Sequence, residues 1–241
     1  GGGDGTINEV VNGILAAHTK PKMAVGVLPL GTANDFARGC GIPLDPYEAL
    51  KLATEGEPVH IDIPSANGVY FANVASGGFG AEVTVGTNPQ LKKAMGGGAY
   101  ALTGIVTAAK MEPYSGKVTS ADEIAEGAII VLAVGNARQA GGGFQVTRNA
   151  YLDDGLMDVM AITDFQTKDL GLVVQELQDF TNMDNQFVHY RQVPAFEIEV
   201  SSKLPINLDG EPHSWDHIKF EILPKCLPVV LPDNCPLVKG S

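Results

Sequence analysis

Gly2-Gly3-Asp4-Gly5-Thr6-Ile7-Asn8-Glu9 opens the chain, and Leu28-Pro29-Leu30-Gly31-Thr32-Ala33-Asn34-Asp35-Phe36-Ala37 follows. Each stretch is a glycine-rich turn that carries an Asp and a Thr and feeds an apolar-periodic segment. Backbone N–H groups at a helix start lack partners, and the helix dipole there favours negative charge. Two such turns in succession point to a protein that holds a polyphosphate. Asp4 and the Thr6 hydroxyl are candidates to hold Mg²⁺ and phosphate there. An ordinary glycine turn with an Asp cap is the plainer alternative. The Gly-Lys-Ser/Thr of a Walker loop is absent.

Reading outward, Ile7, Val10, Val11, Ile14 and Leu15 recur at helical spacing. Residues 24–30 read as a short buried strand that delivers the second turn, with Asn34 and Asp35 placed to cap the next helix. Asp45-Pro46-Tyr47-Glu48 is a strong helix start, and that helix stops near Gly56. Turn, helix, strand, turn, helix is α/β organisation.

From Val59 the pattern changes to strands. Asn67-Gly68 predicts a tight hairpin, with a strand over 69–74. Strands are also expected over 128–134, 155–163, 196–200 and 218–222, the last two with clean alternation. Helical segments interrupt them over 89–111, broken at Gly96-Gly97-Gly98, and after a Thr167 cap, with Leu170, Val173, Val174 and Leu177 on one face. The expected division is 1–58, the C-terminal part of an α/β domain, and 59–241, a β-rich domain whose extreme C-terminal residues return to the first. Because Asp4-Gly5-Thr6 arrives without a strand ahead of it, an upstream piece is expected to be missing.

Composition narrows the partners. The 241 residues carry 28 acidic against 16 basic side chains, a net charge of −12, with no basic cluster. Nucleic acid is therefore not an expected partner, and long-range attraction to an anionic membrane is excluded. Transient membrane-surface contact through an apolar patch stays open. Three cysteines without metal-like spacing, and no signal peptide, fit a cytoplasmic protein, peripheral to the membrane at most.

Four further stretches could carry chemistry. Asn207-Leu208-Asp209-Gly210-Glu211-Pro212 places two carboxylates on a turn, and Pro212 holds Glu211 extended. Glu211 could serve as a general base, or the stretch could be a solvated hairpin turn. Tyr151-Leu152-Asp153-Asp154-Gly155-Leu156 could converge oxygens on a hard cation, or simply turn. The glycine-rich runs 76–80 and 135–143 line a cleft or only bend the backbone. His213 and His217 lie on strand-like sequence, where their spacing does not suit a metal, and Trp215 reads as packing.

Taken together and in this order, these motifs resemble the diacylglycerol kinase catalytic-domain family, and among its members the bacterial soluble lipid kinases of the YegS type. The matching stretches are 2–9, 28–37, 76–80, 135–143, 154–156, 207–212 and the ending Leu231-Pro232-Asp233-Asn234-Cys235-Pro236-Leu237. The resemblance implies an α/β domain like that of NAD kinases and phosphofructokinases, truncated here, followed by an antiparallel β-sandwich-like domain. It implies an ATP-dependent kinase acting on a lipid hydroxyl of diacylglycerol or phosphatidylglycerol type. Gly3, Asp4, Gly5, Thr6, Ile7, Asn8, Glu9 and Thr32 would contact ATP, and Glu211 would accept the proton. Asp154, with the carbonyls of Tyr151 and Leu156, would form a structural or regulatory site for Mg²⁺, with Ca²⁺ as the alternative. Tyr151 departs from the aliphatic residue of the family pattern, and Asp153 adds a charge. An NAD kinase-like enzyme and a non-catalytic lipid- or partner-binding fragment are the competing readings. Oligomeric state is left open.

Overall fold

The computed structural model describes residues 1–17, 23–78, 107–108, 111–121, 123–141 and 143–239. Three helices come first: α1 (Asp4–Ala16), α2 (Asp35–Cys40) and α3 (Pro46–Glu55). Asp45 caps α3, accepting from the N–H groups of Tyr47 and Glu48 at 3.0 and 3.1 Å, and the chain leaves at Gly56. Between α1 and α2, residues 24–30 form single parallel bridges rather than a laddered strand: Gly2 to Pro29 on one side, Val25 to Val229 on the other. Pro29 has no N–H to extend the first bridge.

Antiparallel strands dominate the rest of the described chain: β1 (Pro58–Ala66), β2 (Val69–Tyr70), β3 (Val74–Gly78), β4 (Tyr114–Ser120), β5 (Ile124–Gly135), β6 (Gln139–Ala140), β7 (Phe144–Gln145), β8 (Met157–Thr163), β9 (Val188–Val193), β10 (Ala195–Leu208) and β11 (Glu211–Val230). A nine-stranded sheet runs β2-β1-β11-β10-β3-β5-β8-β9, while β4 pairs with β10 and β5. β3 and β4 thus share one lane: β10 meets β4 through residues 196–200 and β3 through 206–208. The β10–β11 register shifts between Glu199 and Leu204, which bends the long hairpin. Phe71, Leu132, Met157, Ile198, Leu204, Ile206, Leu208, Ile218 and Phe220 then meet in one buried cluster, as inner faces of a β-sandwich do.

A second cluster joins the helical part to the sheet. Val11, Phe36, Cys40 and Ala49 from the helices pack with Ile61, Leu227 and Val229, and with Leu231, Cys235 and Leu237 of the tail. A third lies under α4 (Leu170–Glu176), where Val173 covers Ile130, Ile162 and Val188.

Several local expectations are corrected. The strand expected over 69–74 breaks after Tyr70, because the N–H groups of Ala72, Asn73 and Val74 turn onto the Asp209 carboxylate instead of a ladder. The turn before α4 is capped by Gln166 and Asp169 reciprocally, not by Thr167. Asn34, at φ 51°, does not bond the α2 N–H groups; its side chain closes its own loop on Gly31. The helical reading of 89–111 lies outside the described residues except at 107, 108 and 111, as do positions 79, 80 and 142 of the glycine-rich runs.

Buried Glu176 ends α4 and accepts the N–H groups of Gln186, Phe187 and Val188 at 2.8, 2.9 and 3.0 Å. Burial pushes its carboxyl up, but these donors outweigh it, and the carboxyl titrates below the ordinary value of 4.5. A depressed carboxyl stabilises the fold above its unfolded pKa, and that contribution is lost as pH falls through the folded one. Glu176→Gln is expected to cost about 2 kcal/mol at neutral pH. In denaturant titrations the gap to the parent protein should close as pH drops below the ordinary value.

Candidate active site

The two opening turns lie against each other, backbone to backbone. Gly2 N–H donates to Leu28 O and Leu30 N–H to Gly2 O, both at 3.0 Å. A Cβ on Gly3 would stand 3.1 Å from Gly31 Cα, and one on Gly31 would collide with Gly3 Cα. Only glycines permit this approach. Gly3 is the N-cap of α1 and supplies no side chain to its first N–H groups. Those of Asp4, Gly5 and Thr6 receive no side-chain cap, and donors of this kind suit an anion.

Asp4 has a structural task. Its two oxygens accept the N–H groups of Asp35 and Phe36 at 3.1 and 3.0 Å, so the first turn caps the helix that follows the second. A carboxylate has about four lone-pair positions. Coordination of Mg²⁺ by Asp4 would have to use those that remain. Asp35 passes the connection on, accepting Gly143 N–H at 2.7 Å from the 135–143 glycine-rich loop. Of the other residues expected at ATP, Thr6, Glu9 and Thr32 are exposed. Ile7 packs into the first core, and its N–H donates to Gly3 O at 3.1 Å, so it offers no donor.

Asn8 faces the other way. It is buried, and its Nδ2 donates to Tyr70 O at 3.1 Å and to Asp209 Oδ2 at 3.3 Å. One helical turn later, Asn12 donates to Tyr70 O at 2.8 Å and accepts Tyr70 N–H at 2.9 Å. The pair docks α1 on the β2 hairpin and on the turn between β10 and β11.

Asp209 is the residue that sequence reasoning left without a role. It sits at φ 51°, followed by Gly210 at φ 110°, in the hairpin turn that starts β11. Its carboxylate points inward and accepts the N–H groups of Ala72, Asn73 and Val74 at 2.6, 3.0 and 3.0 Å, besides Asn8. Burial pushes this carboxyl up to about 6, against the pull of the Ala72 N–H, Asn8 and the other two donors. Glu211, two residues on, is exposed at the head of β11. The first turn's helix and the 207–212 turn, separated by some two hundred residues, are thus in direct contact (|i−j| of 201 for Asn8 and Asp209).

The 151–156 turn lies elsewhere on the same core. Leu156 N–H donates to Asp154 Oδ1 at 3.0 Å, while Asp154 Oδ2 is buried and makes no hydrogen bond. Lys239 Nζ stands 3.2 Å from that oxygen as an ion pair, in a geometry that is not a hydrogen bond. A carboxylate oxygen of this kind suits a hard cation, which would have to displace the Lys239 ammonium. No group of three or more His, Cys, Asp or Glu residues suited to a metal occurs among the described residues, so carbonyls would have to complete the set. Asp62, unforeseen from sequence, pins the turn by accepting Gly155 N–H and Lys225 N–H, each at 2.6 Å. Asp153 accepts Lys239 N–H at 2.9 Å.

Asp209→Asn would set an amide N–H₂ against backbone donors. It should cost on the order of 3 kcal/mol in unfolding free energy, read from the denaturant midpoint, whereas Glu211→Gln should leave that midpoint in place.

Comparison with known proteins identifies the relatives of the chain. A family model described as the diacylglycerol kinase catalytic domain matches residues 1–66, and one described as the YegS C-terminal NAD kinase beta sandwich-like domain matches 73–231. A Shewanella frigidimarina protein named "Probable lipid kinase YegS-like" is 45% identical over 242 residues, covering 100% of this chain and 78% of that protein. A Chromohalobacter salexigens protein of the same name is 41% identical, with 99% and 76% covered. Among solved structures, a "putative diacylglycerol kinase" from Bacillus anthracis superposes with a TM-score of 0.77 at 26% identity, over 97% of this chain and 77% of that one. With a match to the diacylglycerol kinase catalytic-domain model at its start, a match to the β sandwich-like model after it, and relatives at this identity of which it covers 76–78%, the chain belongs to the YegS-like family.

Proposed function

We propose that the protein transfers the γ-phosphoryl group of ATP to a hydroxyl of a glycerol-type lipid, with Glu211 as the general base. The observation that carries this reading is the contact of Asn8 with Asp209, which sets the helix behind the first glycine turn against the turn that presents Glu211. Phosphoryl transfer needs little covalent chemistry from the protein; it needs alignment and compensation of charge. The N–H groups at the start of α1 and the Thr6 and Thr32 hydroxyls hold the phosphates. The capping of α2 by Asp4 keeps the two turns in register. Glu211, exposed and fixed by the following proline, takes the proton from the acceptor hydroxyl. Mg²⁺, where bound, offsets charge developing on the phosphoryl oxygens. Asp154, with the carbonyls of Tyr151 and Leu156, would hold a second, structural cation. The names of the relatives support a lipid as acceptor.

No helix among the described residues is long and apolar enough to cross a membrane. An acceptor with acyl chains would be met at a membrane surface, which suits a cytoplasmic enzyme peripheral to the membrane.

In an assay with γ-phosphate-labelled ATP and a panel of diacylglycerol, phosphatidylglycerol, a sphingoid base and NAD, label should enter a glycerolipid and not NAD. Glu211→Gln should lower turnover at least about 100-fold with ATP affinity retained; normal turnover in that variant would refute the base. Asp154→Asn should abolish the rise in Tm that Mg²⁺ confers on the parent protein, and an undiminished rise would remove Asp154 from the metal site.

A further inference from the structure

On β11, Glu211, His213 and Trp215 project from one face, since side chains alternate along a strand. Their cross-strand partners on β10 are Leu208, Ile206 and Leu204, in that order. Residues directly opposite in an antiparallel pair share a face, and all three partners are buried in the sandwich core. The exposed carboxylate therefore heads a row that leads along the rim of the apolar interior. His213 and Trp215 are each half-buried. Their rings stack at 4.7 Å between centroids and 16° between planes, and Trp215 packs against the core cluster. At the rise of a strand, these side chains stand about 7 and about 13 Å beyond Glu211, on the side away from the Asp209 turn that touches α1.

We infer that the His213–Trp215 stack is the shelf that seats the acceptor lipid, aligning its glyceryl and ester region with its hydroxyl at Glu211. This inference rests on the reading of Glu211 as the base. A flat aromatic pair with one wet edge and one edge on a hydrophobic core suits the boundary between a lipid's polar head and its chains. The two residues are positioning residues: they touch the body of the acceptor and hold no proton in flight. Their direction along β11 also orients the lipid. A hydroxyl at Glu211 and a body on Trp215 leave the phosphoryl donor on the α1 side, so that donor and acceptor approach from opposite ends of the row.

Trp215 is the single tryptophan of the chain, so its emission reports on the shelf directly. Phosphatidylcholine vesicles containing diacylglycerol should shift or quench that emission saturably, and vesicles of phosphatidylcholine alone should not. Trp215→Ala should raise the KM for the lipid about tenfold with kcat and the KM for ATP little changed, and Trp215→Phe should recover most of the loss. An equal response to both kinds of vesicle would mean general membrane contact and overturn the proposal, as would an unchanged lipid KM in Trp215→Ala. Glu211→Gln separates the two readings. If it abolishes turnover while the emission response persists, both stand. If it is inactive and the parent's emission ignores the acceptor, the shelf alone fails. If it turns over normally, the base assignment fails, and the shelf as the seat beside that base fails with it, even where the emission still responds.

Discussion

A buried carboxylate holds the molecule's two ends together. Asp209 gives up solvation to sit under its turn, a cost of several kcal/mol for an isolated ion; three consecutive backbone N–H groups and the Asn8 amide offset only part of it, and the carboxyl stays raised, to about 6. Removing the carboxylate would free residues 72–74, the crossing from the β2 hairpin into β3, and would leave Asn8 without its partner across the interface. The position of Glu211 depends on this arrangement. Its own side chain is exposed, so its placement comes entirely from the turn in which it stands.

The same device recurs through the fold. Asp4 caps α2, Asp35 holds Gly143, Asp62 pins Gly155 and Lys225, and Glu176 gathers residues 186–188. Each carboxylate accepts backbone N–H groups that no helix or ladder could reach. Loops that approach a phosphate or a cation need irregular backbone, which leaves donors unpaired. Acidic side chains satisfy those donors and make the loops rigid without adding bulk. Part of the strongly acidic composition is therefore internal fastening, not a surface for a cationic partner.

Much of the architecture was legible along the chain. The α3 cap, the Asn67-Gly68 hairpin and the alternating strands β10 and β11 follow local rules, and local chemistry decided them. The failures share a cause. Residues 24–30 have strand composition but only single bridges, and the strand after Tyr70 breaks because a carboxylate from a distant turn takes its N–H groups. Asn34 and Thr167 have capping side chains, yet Asp4 and Gln166 do the capping. Apart from residues 24–30, where Pro29 lacks the N–H to extend a ladder, a contact remote in sequence, or one position removed, prevailed over a local propensity. Asn8 and Asn12 could have been noticed, since two asparagines four apart beside the apolar stripe of α1 mark a helix that docks through polar contacts.

The amino-acid sequence alone determined the glycine-rich turns, the α/β start and β-rich remainder, and the residue types able to carry phosphate, proton and cation chemistry, because turn conformation and side-chain periodicity are short-range properties. Only the tertiary structure decided which carboxylates are available for chemistry. Asp4, Asp62 and Asp209 are engaged with backbone donors, while Glu211 stands exposed. That difference comes from which donors the folded chain brings within hydrogen-bonding distance, and no local pattern in the sequence encodes it.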